Sequence, residues 1–332
     1  MGAALGAAVW WQRDTIGSAV TEMGSLSGTV IVVLLAFAAL ERVTRADILR
    51  CLLDGATFGR ALTIHDVGSA ASKGIPLGGP IATGLRWSIA RDADVPTTRL
   101  ASALVGYGVA TTFVTWTFPF GFLLVEMTQR NPTTTDLAMV GVCAVVLLGS
   151  VLFWALVLGS PRVTEWMVRL AHRLWAGAGR VIPAARHHDP AAALVEICDS
   201  LRVTARRPMG LFTRTAVAQA CGAVILLTAL RGLGVGAELG VVEFARAYFV
   251  VTLLSSFVPV PGGVGVVEAG MTGALVAAGV DPTAALAGVL VYRLLTYVLP
   301  MIVGVALYVV WRLDVRRRER RRVSTPVPQP VP

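Results

Sequence analysis

The chain of 332 residues is 55% hydrophobic and 15% charged, and its mean hydropathy is +0.70. Since soluble domains carry about 25% charged residues, this composition excludes an ordinary soluble fold and favours an integral membrane protein. The net charge of +9 does not indicate nucleic-acid binding, because the arginines fall in loops between apolar segments and in the C-terminal tail, as the positive-inside rule describes.

The N-terminal region predicts one membrane span. Residues 1–11 are apolar but too short to cross a bilayer, and we interpret them as the remnant of a longer helix or as an interfacial segment anchored by Trp10 and Trp11. The first span covers residues 24–40. We interpret the charged run that follows as the polar boundary of the membrane; it contains Glu41, Arg42, Arg45, Asp47 and Arg50.

Two short apolar segments come next, at residues 56–71 and 75–90, joined by a link that contains Lys73 and Pro76. Each has about 16 residues, which suits a re-entrant hairpin better than two full crossings. Pro96 then stands where a helix can begin, because its missing N–H is not needed in the first turn. The runs at residues 100–125 and 137–158 are long enough to cross the membrane.

The loop at residues 160–210 carries the strongest positive bias outside the tail. Trp166, Leu170 and Trp175 recur at helical spacing, which predicts a segment lying along the membrane interface. Asp189 and Pro190 have the residue types of an N-cap and a first helical position. We therefore expect two helices in this loop that cover the membrane domain.

The last third of the chain repeats the plan of the first. A span at residues 211–230 precedes a second broken pair at residues 247–258 and 264–278, and residues 284–311 form a long final crossing. Asp281 and Pro282 are expected to open that crossing as N-cap and first helical residue. The Gly-Gly pairs at residues 78–79 and 262–263, followed by a DVPT and a VDPT turn, indicate an internal duplication.

These elements predict an all-α, polytopic membrane protein with two inverted repeats, each containing a Gly/Pro-broken re-entrant hairpin. Residues 1–312 form a single transmembrane domain, with repeat one at 24–125, a linking span at 137–158, a cytoplasmic loop at 160–210 and repeat two at 211–311. Residues 313–332 are predicted to be a basic, Pro-rich, disordered cytoplasmic tail. With the loop and the tail inside, every arginine cluster lies on one face, the first hairpin opens inward and the second opens outward.

The candidate site lies in the second broken pair. Two prolines and three glycines fall between Pro259 and Gly265, so the helix must break there. Broken backbone at membrane depth is tolerated only where it is buried in protein or lines a wet cavity. Ionisable residues at that depth, here Glu268 and Arg293, are functional candidates by default.

Arg293 stays charged and needs an anion. A lipid phosphate fits, because a guanidinium binds phosphate oxygens through two parallel hydrogen bonds. Gly262 and Gly263 are expected to add backbone N–H donors at a helix N-terminus, and Arg86 is expected to act from the inner side. Glu268 and Arg293 equally fit a structural ion pair, and Tyr292 fits either a ligand contact or packing.

Other polar residues are interpreted as structural. Glu243 and Arg246 have the i, i+3 spacing of an interfacial pair. The four cysteines are far apart and are expected to be free thiols, and we expect no metal and no cofactor. Neither spacing nor neighbouring ligands makes a metal site of the histidines, which are interpreted as surface residues: His65, His172, His187 and His188.

Three blocks of the sequence resemble a known family. They are PVPGGVGVVEAG, VDPTAALAGVLVYRLLTYVLPMIVG and the earlier IPLGGPIATGLRWSIARDADVPTTRLASAL. Together they are similar to the flippase-like membrane domain of the lysylphosphatidylglycerol synthase family, over residues 24–311. Gly84 and Leu85 stand where many relatives have a Gly-Glu pair. The soluble aminoacyl-transferase domain is not in this sequence, so we expect the aminoacylating activity not to carry over.

The resemblance implies a multi-pass bacterial protein of the cell membrane that translocates an anionic phospholipid or a polyprenyl-phosphate-linked lipid, and not an enzyme. Two alternatives stay open: a membrane-embedded transferase acting on a lipid-linked head group, and a non-catalytic subunit of a cell-envelope complex. Membrane lipids with anionic head groups are the expected partners, envelope-biosynthesis proteins are possible ones, and nucleic acid is not.

Overall fold

The computed structural model describes positions 21 and 24 and residues 26–74, 78–129, 133–178, 190–204, 208–235, 239–255 and 261–324. Within these ranges the chain is helical and contains no strand, which confirms the all-α class. The elements are α1 (Gly28–Leu52), α2 (Phe58–Gly74), α3 (Gly78–Asp92), α4 (Thr97–Gln129), α5 (Thr134–Gly159), α6 (Pro161–Ala178), α7 (Pro190–Thr204), α8 (Pro208–Gly232), α9 (Val241–Ser255), a 3₁₀ turn (Pro261–Gly263), α10 (Val266–Ala277), α11 (Pro282–Arg293), a π-helical turn (Leu294–Val298) and α12 (Leu299–Ser324).

Four helical stretches in the described part are long and apolar enough to cross a membrane. They are Thr97–Thr128, Asp136–Gly159, Pro208–Gly232 and Pro282–Arg320. These stretches match the predicted spans at residues 100–125, 137–158, 211–230 and 284–311, so the polytopic helical class is confirmed. The interpretation of residues 1–11 falls outside the described residues.

Helix α1 continues past the membrane boundary that the sequence predicted. The Ser27 side chain caps its first turn, and the helix then runs unbroken through the charged positions to Leu52. Glu41 is only 9% exposed and accepts a hydrogen bond from Arg45. Glu41 is therefore paired within the helix, whereas Arg45 stays partly exposed and Arg50 is exposed. The interpretation of this run as a polar boundary stays a prediction.

Each half of the chain contains a pair of short helices separated by a break. Helices α2 and α3 pack against each other, and so do α9 and α10. In the second pair the backbone at Gly262, Gly263 and Gly265 has φ values of +64°, +63° and +81°. Glycine reaches these left-handed values at little steric cost, and the predicted break is therefore present at residues 261–265.

The final helical segment extends further than predicted. Asp281 caps α11 by accepting hydrogen bonds from the N–H groups of Thr283 and Ala284 at 3.0 Å, and Pro282 is the first helical residue, as expected. After the π-helical turn, α12 continues to Ser324. The prediction of disorder from residue 313 is therefore wrong for residues 313–324, which are helical. Two acidic residues stand among the arginines there, and one of them, Asp314, forms an i, i+4 pair with Arg318. The Pro-rich end lies outside the described residues.

Two helices occupy the described parts of the loop at residues 160–210. Helix α6 carries the predicted amphipathic positions, with Trp166 exposed, and α7 begins at Pro190 as expected. Arg202 fixes α7 by donating to the carbonyl oxygen of Leu158 at 2.8 Å and to Thr164 Oγ1 at 3.0 Å. The loop therefore closes one end of α4 and α5 with packed helices.

Three apolar clusters form the core of the described residues, and the smallest of them joins α4, α5 and α9 around Trp116, Leu123 and Leu253. The other two lie one in each half of the chain. The first joins α1, α2, α3 and α4, and the second joins α1 to α8, α9, α10 and α11. All four cysteines are free thiols, and of these only Cys51 is exposed. Helix α1 belongs to both of these clusters, so it packs against both halves of the chain. Representative buried side chains are Ile48, Ile64 and Ile89 in the first cluster and Leu34, Ile225 and Met271 in the second.

Gly304 sets the distance between α12 and α2. A Cβ atom there would lie 2.6 Å from Ala70 Cβ and closer still to the Asp66 carbonyl oxygen. Because backbone cannot move aside cheaply, we expect Gly304→Ala to destabilise the protein by about 1–3 kcal/mol. Thermal unfolding in detergent measures this effect. Gly273→Ala is the matched control, since a Cβ there meets nothing within 4 Å, and equal destabilisation by both variants would contradict the prediction.

Candidate functional site

Arg293 and Glu268 form an ion pair at the break in the second half. Arg293 Nε donates to Glu268 Oε1 at 2.7 Å, and Nη2 donates to the carbonyl oxygen of Gly262 at 2.9 Å. The arginine is 8% exposed. The predicted pair is therefore present and is built on two elements, the first turn of α10 and the last residue of α11.

Tyr297 connects this pair to the first half of the chain. Its ring lies under the Arg293 guanidinium, with the Cζ atom of the arginine 4.3 Å from the ring centroid. Its hydroxyl donates to the carbonyl oxygen of Lys73 at 2.9 Å, and Lys73 Nζ donates to the carbonyl oxygen of Thr296 at 3.4 Å. The end of α2 therefore meets the π-helical turn at the same place as the ion pair. We call these residues the junction site: Lys73, Gly262, Glu268, Arg293 and Tyr297.

The 3₁₀ turn at Pro261–Gly263 contributes the carbonyl group of Gly262 to the junction site. Gly262 turns its oxygen toward Arg293, and a Cβ atom at this position would lie 2.7 Å from Tyr297 Cζ. Gly263 is the next residue of the same turn and is buried. The N-terminus of α10 is occupied by a carboxylate of the chain, because Glu268 Oε2 accepts from the Gly265 N–H at 2.7 Å. The Gly265 N–H is thus bonded to Glu268 and not left for a ligand, and the N–H donors expected of Gly262 and Gly263 stay a prediction.

Tyr292 lies next to the junction site in sequence but contacts a different part of the molecule. Its hydroxyl is 3.2 Å from the Tyr248 hydroxyl, the two rings meet edge to face, and Tyr292 belongs to the apolar core of the second half. Of the two tyrosines at this end of α11, Tyr297 is the one that contacts the arginine.

Arg86 belongs to a second group of charges, which we call the inner cluster. Its guanidinium packs on Gly68, and its Nε atom is buried without a hydrogen-bond partner among the described residues. Arg42 and Arg45 on α1 face the same region, where they bond to Asp66 and Glu41 respectively. The cluster joins α1, α2, α3 and α4 and consists of Glu41, Arg42, Arg45, His65, Asp66, Arg86 and Tyr107.

His65 is not the surface histidine that the sequence suggested. Its side chain is 12% exposed. Nδ1 lies 2.9 Å from Asp66 Oδ1, and Nε2 lies 3.2 Å from the Tyr107 hydroxyl. Metal-ligand spacing gives no sign of this, because His65 is held by Asp66, its neighbour in the chain, and by Tyr107 of α4. The side chains of the other three histidines fall outside the described ones.

A third group of charges joins α4, α5 and α9. Arg246 Nη1 donates to Glu126 Oε1 at 2.8 Å, and its Nη2 is 3.4 Å from Asp136 Oδ1. Glu243 instead accepts from the Gly240 N–H and closes the first turn of α9. The predicted Glu243–Arg246 pair is therefore wrong, because two carboxylates from other helices compete for the arginine.

The junction site has donors to spare for an anion. A guanidinium carries five N–H donors, and the two hydrogen bonds of Arg293 use only Nε and Nη2. Lys73 forms no ion pair with a described residue, and its ammonium makes one long contact to a carbonyl oxygen. Among the described residues, no group of three His, Cys, Asp or Glu side chains is arranged to hold a metal.

Lys73 and the inner-cluster residues other than Arg86 were missed as site residues at the sequence level. Asp66 lies in a short apolar segment and could have been found by the criterion applied to Glu268, namely an ionisable residue at membrane depth. Glu41 and Arg45 have i, i+4 spacing, which is a signal for an intrahelical pair. Nothing local in the sequence places Lys73 against Tyr297, because 224 positions separate the bonded residues.

These observations define the class of the protein: a multi-pass, all-α membrane protein with buried charges where its broken helices meet. The family model of the lysylphosphatidylglycerol synthase transmembrane region matches residues 2–304. The chain therefore belongs to this family, which confirms the resemblance found in the sequence. A search of curated proteins found no match.

Proposed function

We propose that this protein moves a lipid with an anionic head group, a phospholipid or a polyprenyl-phosphate-linked lipid, across the cytoplasmic membrane. The observation that carries the proposal is the junction site, where Arg293 keeps unused donors and Lys73 has no carboxylate partner among the described residues. A cation without a carboxylate partner at membrane depth, here Lys73, favours an anionic ligand. The proposed activity is transport and not an enzymatic reaction.

The two broken helix pairs are the proposed moving parts. We propose that α2 with α3 and α9 with α10 are re-entrant hairpins of two inverted repeats, whose tips meet at the membrane midplane. The contact between Lys73 and Tyr297 supports this arrangement, since it joins the end of α2 to the turn beside the second break. Inverted units with broken helices around a central site are an architecture used for alternating access.

The proposed topology places residues 160–210 and the C-terminus in the cytoplasm. Counted back from there, the first hairpin opens toward the cytoplasm and the second toward the outside. Fusions of LacZ and alkaline phosphatase at Gln129 and Arg180 test this: phosphatase should be active only at Gln129 and LacZ only at Arg180. The same result at both positions would remove the inverted-repeat arrangement.

Each site residue has a proposed role. Arg293 and Lys73 bind the head-group phosphate, Glu268 holds the guanidinium until the phosphate arrives, and Gly262 provides the close approach to Tyr297. Arg86 is proposed to receive the head group first, on the cytoplasmic side of the junction. Gly263 shapes the turn, and Tyr292 supports the site from the core.

Reconstitution with labelled lipids tests the function. We expect the full chain in liposomes to move head-group-labelled phosphatidylglycerol between leaflets faster than empty liposomes do, and to move phosphatidylcholine far less. Arg86→Gln should slow this by about 10- to 100-fold, since it removes one charge-assisted interaction of about 1.5–3 kcal/mol. Arg91→Gln, at an exposed position of the same helix, is the control and should leave the rate unchanged. No movement of any anionic lipid by the wild type would overturn the proposal.

A further inference from the structure

A histidine, a carboxylate and a tyrosine form a hydrogen-bonded chain in the inner cluster. Asp66 is 1% exposed and accepts from Arg42 with one oxygen and from His65 with the other. Because an ionised carboxylate only accepts hydrogen bonds, the neutral imidazole donates from Nδ1. Its Nε2 then accepts from the Tyr107 hydroxyl. Nε2 is therefore the atom at which His65 can take up a second proton.

The residues around His65 come from α2 itself and from the helices packed against it. Helix α4 contributes Tyr107 itself, α12 brings Gly304 against the backbone of Asp66, and Lys73 lies further along α2. Within the inner cluster the three arginines outnumber the two carboxylates by one. Helix α1 contributes Glu41, Arg42 and Arg45, and α3 contributes Arg86.

This excess of cations links proton binding to anion binding. Arg86 and Arg45 both lie within electrostatic range of His65, so they oppose a positive charge on the imidazole. An anion bound at Arg86 offsets part of that repulsion and makes protonation of His65 more favourable. Coupling between two binding sites is reciprocal, so a protonated His65 must also strengthen anion binding at Arg86.

We infer that His65 binds a proton together with the anionic head group, so that the lipid and a proton are carried as a pair. Chains of acidic residues and histidine inside membranes are typical proton relays, and imidazole is the side chain whose ordinary titration lies near physiological pH. The proton bonds to Nε2, the Tyr107 hydroxyl turns from donor to acceptor, and Asp66 keeps its charge and stabilises the imidazolium. The inference rests on the proposed function for the identity of the anion.

Proton uptake on lipid binding tests the inference. The detergent-solubilised full chain is mixed with short-chain phosphatidylglycerol near pH 6.5 in weak buffer with a pH indicator, and binding is measured separately by calorimetry. We expect uptake of up to about one proton per bound lipid, since one imidazole titrates. His65→Gln should abolish the uptake, whereas His172→Gln on α6 should leave it unchanged. Because His65→Gln can disturb folding, histidine nitrogen NMR on the wild type provides a second readout, in which one imidazole signal should move toward the protonated form when lipid is added.

The outcomes separate the two proposals. Lipid binding without proton uptake, or uptake that persists in a folded His65→Gln protein, overturns the coupled proton site and leaves the proposed function intact. Absence of any lipid binding overturns both. Uptake with glycerophosphoglycerol, a soluble phosphodiester that does not itself titrate near pH 6.5, as well as with the lipid supports the coupled site and makes a soluble phosphate ester its anion.

Discussion

Replacing Arg293 with alanine should abolish lipid movement, with a rate at least about 100-fold below that of the wild type. The variant loses two charge-assisted hydrogen bonds to the lipid phosphate, each of about 1.5–3 kcal/mol. The substitution also leaves Glu268 without its cation and the Gly262 carbonyl without its donor. Breaking a buried ion pair from one side costs about 3–5 kcal/mol of stability. Dequenching or reduction of a head-group label in proteoliposomes measures the rate, and thermal unfolding in detergent measures the stability.

A double substitution separates ligand binding from structural pairing at this position. Glu268→Gln combined with Arg293→Met removes both charges and keeps similar side-chain volumes, so stability should recover relative to Arg293→Ala. Lipid movement should not recover, because no guanidinium is left to bind the phosphate. A double variant that moves lipid at the wild-type rate would show that Arg293 serves only to hold α11 against α10.

Arg293→Lys adds a test of geometry. Lysine keeps the positive charge but lacks the planar fork that reaches two acceptors at once. In the wild type the same guanidinium bonds to Glu268 and Gly262 and lies on the Tyr297 ring. We expect this variant to fold and to retain a reduced rate that lies between the wild type and Arg293→Ala. A rate as low as that of the alanine variant would show that charge alone does not support transport.

Local signals in the sequence were sufficient for most of the fold. Apolar runs of membrane length marked α4, α5, α8 and the final segment, and Asp281 with Pro282 marked the start of α11 because a carboxylate cap and a residue without an N–H suit that position. The glycines at residues 262–265 marked the second break, since they alone reach the required φ values without strain.

Pairing between distant segments could not be predicted in the same way. The charged run that begins with Glu41 and Arg42 and ends at Arg50 predicts a membrane boundary, because charges usually meet water. In the structure, Arg42 meets Asp66 of another helix and Glu41 meets Arg45 of its own. A charge that finds its partner inside the protein has the same local sequence as one that ends a span, and only the packing of α2 on α1 separates the two cases.

In the candidate site, too, contacts between distant segments could not be predicted from the local sequence. Glu268 and Arg293 could be found as ionisable residues in an apolar stretch, 25 positions apart. Lys73 lies in a polar link, where a lysine is unremarkable by sequence. The position of Lys73 depends on how the first half of the chain packs against the second. The hydrogen bond from the Tyr297 hydroxyl to the Lys73 carbonyl oxygen is part of that contact.

Gly262→Ala is expected to be the most disruptive single-methyl change at the break. Gly262 has a φ of +64°, which L side chains rarely adopt, and an added Cβ would overlap the Tyr297 ring. That ring cannot move freely, because its hydroxyl is bonded to Lys73 and its face lies on Arg293. We expect a loss of about 3 kcal/mol or more in stability, from backbone strain and overpacking combined, and loss of lipid movement in the fraction that folds.

Gly265→Ala separates these two causes. Gly265 also has a positive φ, +81°, but a Cβ there meets nothing within 4 Å, and alanine keeps the N–H that Glu268 accepts. This variant should therefore show only the backbone strain, about 3 kcal/mol, because its φ of +81° with a ψ of −42° lies outside the left-handed region that alanine can adopt. It should retain lipid movement in the fraction that folds. Combining Gly262→Ala with Tyr297→Ala removes the overlap, so the double variant should be more stable than additive losses predict. Equal losses of stability and of lipid movement in Gly262→Ala and Gly265→Ala would mean that the close approach of Gly262 to Tyr297 does not hold the halves of the protein together.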